Sequence, residues 1–281
     1  MTLIQAFLLG LIQGLTEFIP VSSTAHLLIG QTLLGLPADN AMFSFLVIVQ
    51  LGTIVSLVIY FWKDLLTIVR ATLSSIKPLL KRKKRNRKNK ELELDARIGW
   101  YIIIATIPAL VAGYLLKNAV ETLFKQPLLE ASIRLLITGV ILALAEGLSK
   151  RRHPLKKMTW LDALIIGLAQ VIAVFPGASR SGTTISAGML RNLSRHSAAR
   201  FAFLMAVPVM LAAGGYQMLD VIKMPDVGSF LPVLAIGFVT AAVVGWLSIK
   251  WLMNFLNKHS LYFFAWYCSI VGLVVIFIYF V

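Results

Sequence analysis

The sequence predicts an all-α polytopic membrane protein: six transmembrane helices plus two re-entrant helical hairpins, arranged as an inverted repeat. Three observations predict it. Of 281 residues, 58% are hydrophobic and only 14% charged, too little charge to cover a soluble domain of this length. Stretches such as 42–62 and 261–281 run about 20 apolar residues, enough to cross a hydrocarbon core of about 30 Å. Two further regions, 3–35 and 160–191, are apolar at both ends but broken in the middle by Pro, Gly, Ser and a charge.

Taken in order, the expected spans are 42–62, 98–116, 131–148, 200–222, 230–253 and 261–281, each an apolar run of membrane-crossing length. The halves of the two broken regions are about 10 to 15 residues, too short to span but suited to a hairpin that enters and leaves on one side. Non-helical backbone at that depth is tolerated only where protein buries it or a wet cavity meets it.

The broken regions resemble each other. Gly10-Leu-Ile-Gln13 matches Gly167-Leu-Ala-Gln170, and Phe18-Ile-Pro20-Val-Ser-Ser23 matches Phe175-Pro176-Gly-Ala-Ser179 with one residue deleted. Phe43-Ser-Phe-Leu then matches Phe201-Ala-Phe-Leu, and Pro108-Ala-Leu-Val-Ala-Gly113-Tyr matches Thr240-Ala-Ala-Val-Val-Gly245-Trp. Each match is weak alone, but the shared order points to a duplication. It divides one membrane domain, 1–281, into a first repeat, 1–148, and a second, 160–281. A hairpin plus three spans is an odd number of crossings, so the second copy inserts upside down.

The formal net charge is +15, and no Lys or Arg precedes Lys63. A dense cluster includes Lys81, Arg82, Lys83, Lys84, Arg85, Arg87, Lys88 and Lys90; a smaller one holds Lys150, Arg151, Arg152, Lys156 and Lys157. Each cluster lies between apolar spans, which favours the positive-inside rule over nucleic-acid binding. Loops 63–97 and 149–159 are therefore expected in the cytoplasm and both termini outside, with anionic lipid headgroups as secondary contacts of the basic loops. The first hairpin then enters from outside, the second from the cytoplasm, and their tips meet near the midplane. The N-terminus lacks the basic segment of a cleaved signal peptide. One cysteine, Cys268, excludes an internal disulfide and any multi-cysteine metal site.

The first tip reads Gln13-Gly-Leu-Thr-Glu17-Phe-Ile-Pro20-Val-Ser22-Ser23-Thr24-Ala-His26. Gln13 and Glu17, four apart, share a helix face. The second reads Pro176-Gly-Ala-Ser179-Arg180-Ser181-Gly182-Thr183-Thr184. It offers a guanidinium, hydroxyls and free backbone N–H groups at a helix start, a setting suited to phosphate. Any single hydroxyl here is more readily structural, His26 could be a satisfied core residue, and Gln13 and Gln170 could join helices. Glu17 and Arg180 resist so bland an account, since each costs on the order of 3 kcal/mol at a helix centre. A purely structural Glu17–Arg180 pair would still leave the gathering of His26 and the hydroxyls unexplained.

Gln13-x-x-x-Glu17, Pro20-Val-Ser-Ser-Thr-Ala-His26 and Pro176-Gly-x-Ser-Arg-Ser-Gly-x-Thr184 resemble the two signature motifs of the undecaprenyl-diphosphate phosphatases, the BacA/UppP family of bacteria. The resemblance extends over essentially the whole chain. It implies an enzyme of the bacterial plasma (inner) membrane that hydrolyses undecaprenyl diphosphate to undecaprenyl phosphate and inorganic phosphate. That activity recycles the lipid carrier of peptidoglycan synthesis and confers bacitracin resistance. Under that resemblance Arg180 takes the phosphate oxygens, with Ser22, Thr24, Ser179, Ser181, Gly182, Thr183 and Thr184 as further substrate contacts. Glu17 with Gln13 holds a divalent cation, Mg²⁺ in preference to Ca²⁺. The family accepts Glu or Gln at the position of Gln13, and a Gln contributes no charge. Three routes of attack stay open: His26 directly, Ser23 with its proton passing to His26 or Glu17, or an activated water. Ser23 and His26, three apart, could touch on a helical turn. The partners implied are the polyprenyl diphosphate and membrane lipid, without nucleic acid and with a homodimer left open. The competing class is a polyprenyl-phosphate flippase or secondary transporter, which shares the inverted-repeat layout but needs no nucleophile.

Overall fold

The computed structural model describes residues 1–37, 39–76, 87–116, 127–151, 153–173, 179–222 and 227–281. Among these residues the regular structure is helical throughout: α1 (Leu3–Thr16), α2 (Ser23–Leu33), α3 (Asn40–Tyr60), α4 (Trp62–Ile76), α5 (Arg87–Leu115), α6 (Pro127–Leu148), α7 (Trp160–Ile172), α8 (Arg180–Leu190), α9 (Arg195–Ile222), α10 (Val227–Lys258) and α11 (Tyr262–Phe280). Six of them, α3, α5, α6, α9, α10 and α11, are long and apolar enough to cross a membrane, and each falls on an expected span.

The two broken regions each hold a pair of short helices, α1 with α2 and α7 with α8, of 14, 11, 13 and 11 residues. At 1.5 Å per residue these reach only about 16–21 Å. Side chains fix the starts of α1, α7 and α8. Thr2 and Gln5 form a capping box on α1, Thr159 and Asp162 another on α7, and Ser179 accepts from Gly182 N on α8; each satisfies N–H groups that a helix start leaves free. The break before α8, including Pro176 and Gly177, lies outside the described residues.

Residues 63–97, expected as a loop, are helical over most of their described length. α4 follows α3 almost directly, and α5 begins at Arg87 rather than 98. Charge lowers hydropathy without breaking a helix, and α4 buries Ile68, Ala71 and Thr72 while leaving Lys63 and Arg70 exposed. That buried face packs against α5 at Gly99, where Thr72 approaches the helix axis.

The long helices pair as α3 with α10 and α6 with α11, while α1 lies along α10 and α7 along α5. The last two contacts need small residues. A Cβ on Gly10 would stand 2.7 Å from Gly237 O, and one on Gly167 2.5 Å from Ala105 O. The main core surrounds α9 through Phe201, Leu204 and Met205, and a smaller one joins α1, α2, α3 and α10 through Leu9, Leu27, Phe45 and Leu234. Outward faces are apolar too: Phe263, Trp266, Ile270, Leu273 and Phe277 form an exposed row on α11, as expected where lipid is the solvent.

At one end of the bundle lies a network of charges. Glu146, almost fully buried, accepts from Arg151, from Arg195 (Nε at 3.0 Å) and from the Leu261 N–H at 3.0 Å. Arg191 Nε binds Asp162 at 2.7 Å, and Ser149 donates to Met189 O at 2.5 Å. These bonds tie α6, α7, α8, α9 and the start of α11 together. Away from that end, Ser179 N–H donates to Thr138 Oγ1 at 3.2 Å, midway along α6. The ring of Phe18 lies 3.3 Å from where a Cβ on Gly245 would stand, midway along α10.

Candidate active site

Glu17 caps the C-terminus of α1, its N–H bonded to Gln13 O at 3.0 Å. Its carboxylate is buried and takes three side-chain donors from three elements. Arg180, first residue of α8, donates through Nη2 to Oε1. Gln13 Nε2, one turn back on α1, and the Ser23 hydroxyl, first residue of α2, donate to Oε2 at 2.8 Å each. The residues meet where α1 stops after Thr16 and where α2 and α8 start at Ser23 and Arg180.

A buried carboxylate must be paired to be tolerated, and Glu17 is paired more than fully. Arg180 is not. Its side chain keeps 25% exposure against 5% for Glu17, and among the described residues the guanidinium makes no other hydrogen bond. Of five N–H groups in a planar fork, most remain for a ligand. They face a cleft lined by Glu17, Phe18, Arg180, Ser181 and Thr184 on one side and Ala202, Phe203, Ala206 and Met210 of α9 on the other. Its lining combines the polar Glu17, Arg180, Ser181 and Thr184 with the apolar Phe18, Ala202, Phe203, Ala206 and Met210. An anion carrying a hydrocarbon chain has that same division.

The remaining expected residues divide. Ser179 caps α8 and lies 3.2 Å from Ser181 Oγ, which reaches Ile19 O at 3.4 Å. Thr184 lines the cleft, but its hydroxyl returns to Arg180 O at 2.7 Å, a bond within its own helix. Gly182 N–H is used by the Ser179 cap. Thr183 Oγ1 is buried with no partner among the described residues. Ser22 makes no side-chain cap, and Thr24 is exposed.

His26 does not meet Ser23. The hydroxyl is held by Glu17 instead, and the imidazole bridges elsewhere: Nδ1 lies 2.9 Å from Ser22 O, and Nε2 lies 2.8 Å from the Tyr267 hydroxyl on α11. Ser22 adopts φ 67° and ψ 86°, a left-handed conformation unusual for a residue with a Cβ. The turn directs its carbonyl at both the N–H and the ring of His26. The three-residue spacing that suggested contact between Ser23 and His26 is defeated by that turn and by the stronger pull of a carboxylate on a hydroxyl.

Two residues at the site were missed from sequence. Thr138 receives the Ser179 N–H, and nothing in an apolar span marks one threonine over another. Tyr267 had a usable signal, since a phenol in mid-span needs a partner for its O–H.

With that geometry in view, similarity to known proteins can be set beside it. A family model described as bacitracin resistance protein BacA matches residues 6–274. An undecaprenyl-diphosphatase of Chloroherpeton thalassium is 42% identical, covering 97% of this chain and 95% of its own. Proteins of the same name from Chlorobium luteolum and Methanosphaera stadtmanae are 43% and 38% identical, over 95% and 98% of this chain and 93% and 97% of theirs.

Proposed function

The chain belongs to the bacitracin resistance protein BacA family, and from that premise we propose how its residues release phosphate from a polyprenyl diphosphate. The protein is an integral membrane phosphatase that converts undecaprenyl diphosphate to undecaprenyl phosphate and inorganic phosphate, and family membership carries bacitracin resistance with it. One observation carries the mechanism: the Glu17 carboxylate holds Arg180 on one oxygen and the Ser23 hydroxyl on the other.

The diphosphate enters with its charge toward the Arg180 fork and its chain toward the apolar wall of α9. Phosphate oxygens draw the guanidinium, which matches them with paired N–H donors. Glu17 is thereby partly released from its cation while still holding Ser23. As Ser23 Oγ forms its bond to the terminal phosphorus, the bond from phosphorus to the bridging oxygen breaks. Glu17 takes the serine proton, and undecaprenyl phosphate leaves with the bridging oxygen. Water then displaces the phosphoryl group from Ser23, and the proton on Glu17 returns to the serine oxygen. Positioning and charge stabilisation supply most of the acceleration in such transfers.

Gln13 Oε1 is buried and has no partner among the described residues, while the amide nitrogen is fixed on Glu17. One carboxylate and one neutral oxygen, completed by substrate, suit Mg²⁺. The described residues hold no group of three His, Cys, Asp or Glu side chains able to bind an ion alone. Gln13 and Glu17 would hold the cation, which offsets charge on the diphosphate.

The two halves form an inverted repeat with re-entrant tips in the bacterial inner membrane, basic loops inward. Support comes from packing. Carrying the match of 108–114 with 240–246 three residues back pairs Ala105 with Gly237. Those are the residues against which Gly167 and Gly10, themselves matched, are packed. The same contact therefore occurs twice, each time between a short helix of one half and a long helix of the other.

The test is release of inorganic phosphate from undecaprenyl diphosphate by purified protein in detergent. Arg180→Ala and Glu17→Ala should insert but release none. A carrier of the same fold would release none even as wild type.

A further inference from the structure

We propose that Tyr267 is a positioning residue for His26, its hydroxyl holding the ring nitrogen that the Ser22 carbonyl leaves bare. The inference rests on the phosphatase reading for its kinetic consequence but not for its structural one. A carbonyl oxygen only accepts, so the 2.9 Å contact with Ser22 O places a proton on Nδ1. In the neutral ring Nε2 is then bare, and the Tyr267 hydroxyl 2.8 Å away donates to it. The two rings lie nearly parallel, with 6° between their planes and 5.7 Å between centroids.

Every rotational freedom of the imidazole is thus constrained from two sides, by the left-handed turn at Ser22 and by a phenol from the last helix. The side chain spans 241 residues of sequence separation to reach that phenol. The arrangement holds His26, three residues after Ser23, as a neutral ring with both nitrogens engaged. Without the phenol, Nε2 would be free to take a proton or a water, and the ring would keep only its anchor on Ser22 O. Tyr267 touches neither Glu17 nor Arg180 by hydrogen bond, so its effect passes through His26.

The experiment pairs Tyr267→Phe, which keeps the ring stack and removes one hydroxyl, with Tyr267→Ala, which removes both. ¹⁵N-labelled histidine gives the tautomer directly, with the His26 signals identified by their loss in His26→Asn. Wild type should show one protonated nitrogen, Nδ1, and one bare nitrogen, Nε2. Tyr267→Phe should keep the proton on Nδ1, shift the Nε2 signal as its donor is lost, and lower kcat by about 2- to 12-fold with KM unchanged, as expected for one lost hydrogen bond at the turn that carries Ser23. Wild type with Nε2 protonated, or Tyr267→Phe indistinguishable from wild type in both spectrum and kcat, overturns the proposal. So does a loss seen only in Tyr267→Ala, which would assign the effect to ring packing. Failure of wild type to release phosphate would refute the phosphatase mechanism while leaving the tautomer measurement intact.

Discussion

Arg180→Lys tests the site more cleanly than deletion of the charge. Arg180→Ala would leave the Glu17 carboxylate, 5% exposed, without its cation, and such a loss can cost about 3–5 kcal/mol of stability. Lysine keeps the charge and changes only its geometry. In the structure Nη2 is committed to Glu17 Oε1, and Nε and Nη1 remain for phosphate. A single ammonium nitrogen must serve both partners from one point. The expected deficit is at least one charge-assisted hydrogen bond to the transferring phosphoryl group, about 1.5–3 kcal/mol, or about 10- to 150-fold in kcat/KM. The assay is phosphate release below KM in detergent micelles, with thermal unfolding of both proteins to show that the pair to Glu17 survives. Arg180→Lys retaining more than about half of wild-type kcat/KM, a loss too small for one such bond, would refute the guanidinium as the phosphate clamp.

Ser23→Ala should lower kcat by about 10³-fold or more and abolish any covalent phosphate trapped by acid quenching. Survival of a trapped phosphoryl group in Ser23→Ala would move the nucleophile to His26. Chelation of divalent cations should stop turnover and Mg²⁺ restore it, with Gln13→Ala raising the Mg²⁺ needed for half-maximal rate by about 10-fold. An unchanged Mg²⁺ requirement would remove Gln13 from the metal site. Gly167→Ala should destabilise by about 1–3 kcal/mol through overpacking against Ala105 O. Gly215→Ala, on α9 with nothing within 4 Å, should stabilise by up to about 1 kcal/mol from helix propensity. Thermal melts that rank the two in the opposite order would contradict the close approach of α7 to α5.

The architecture was legible because lipid imposes simple rules. An apolar run of spanning length becomes a helix whatever its neighbours, and all six did. The broken runs were legible for the converse reason: Pro20 and the polar residues around it cannot sit in lipid-facing helix, and short helices are found there. The meeting of Glu17 with Arg180 could be anticipated from cost alone, since two charges at that depth satisfy each other most cheaply. Hydroxyl assignments fared differently. Thr184 looked like a phosphate contact and Ser23 like a neighbour of His26, yet one binds its own helix and the other Glu17. A hydroxyl takes whichever acceptor lies within 3 Å, and the position of that acceptor is a tertiary fact. The same holds for His26, whose partner arrives from the far end of the chain. The helical stretch 62–76 was hidden because charge in the sequence reports on solvent, not on backbone conformation.

The distribution of polar bonds along the bundle explains why a substrate could disturb the site without disturbing the fold. At the charged end, Glu146 fixes three chain segments and Asp162, Ser149, Ser194 and Ser197 add further ties. Breaking any one leaves the others. Around Glu17 the cross-links between halves among the described residues are single contacts: the Arg180–Glu17 pair, Ser179 N–H on Thr138, Ser181 on Ile19 O, Tyr267 on His26 and Cys268 on Pro20 O. Arg180, the side chain that would have to turn toward a phosphate, keeps 25% exposure while Glu17 keeps 5%. A diphosphate offers that guanidinium more acceptors than Glu17 does, so the exchange of partners needs no rearrangement of the helices that hold them. Glu17 and Arg180 stand 163 residues apart in sequence, so an anion that exchanges one for the other depends on α1 and α8 being held together by the helices packed around them.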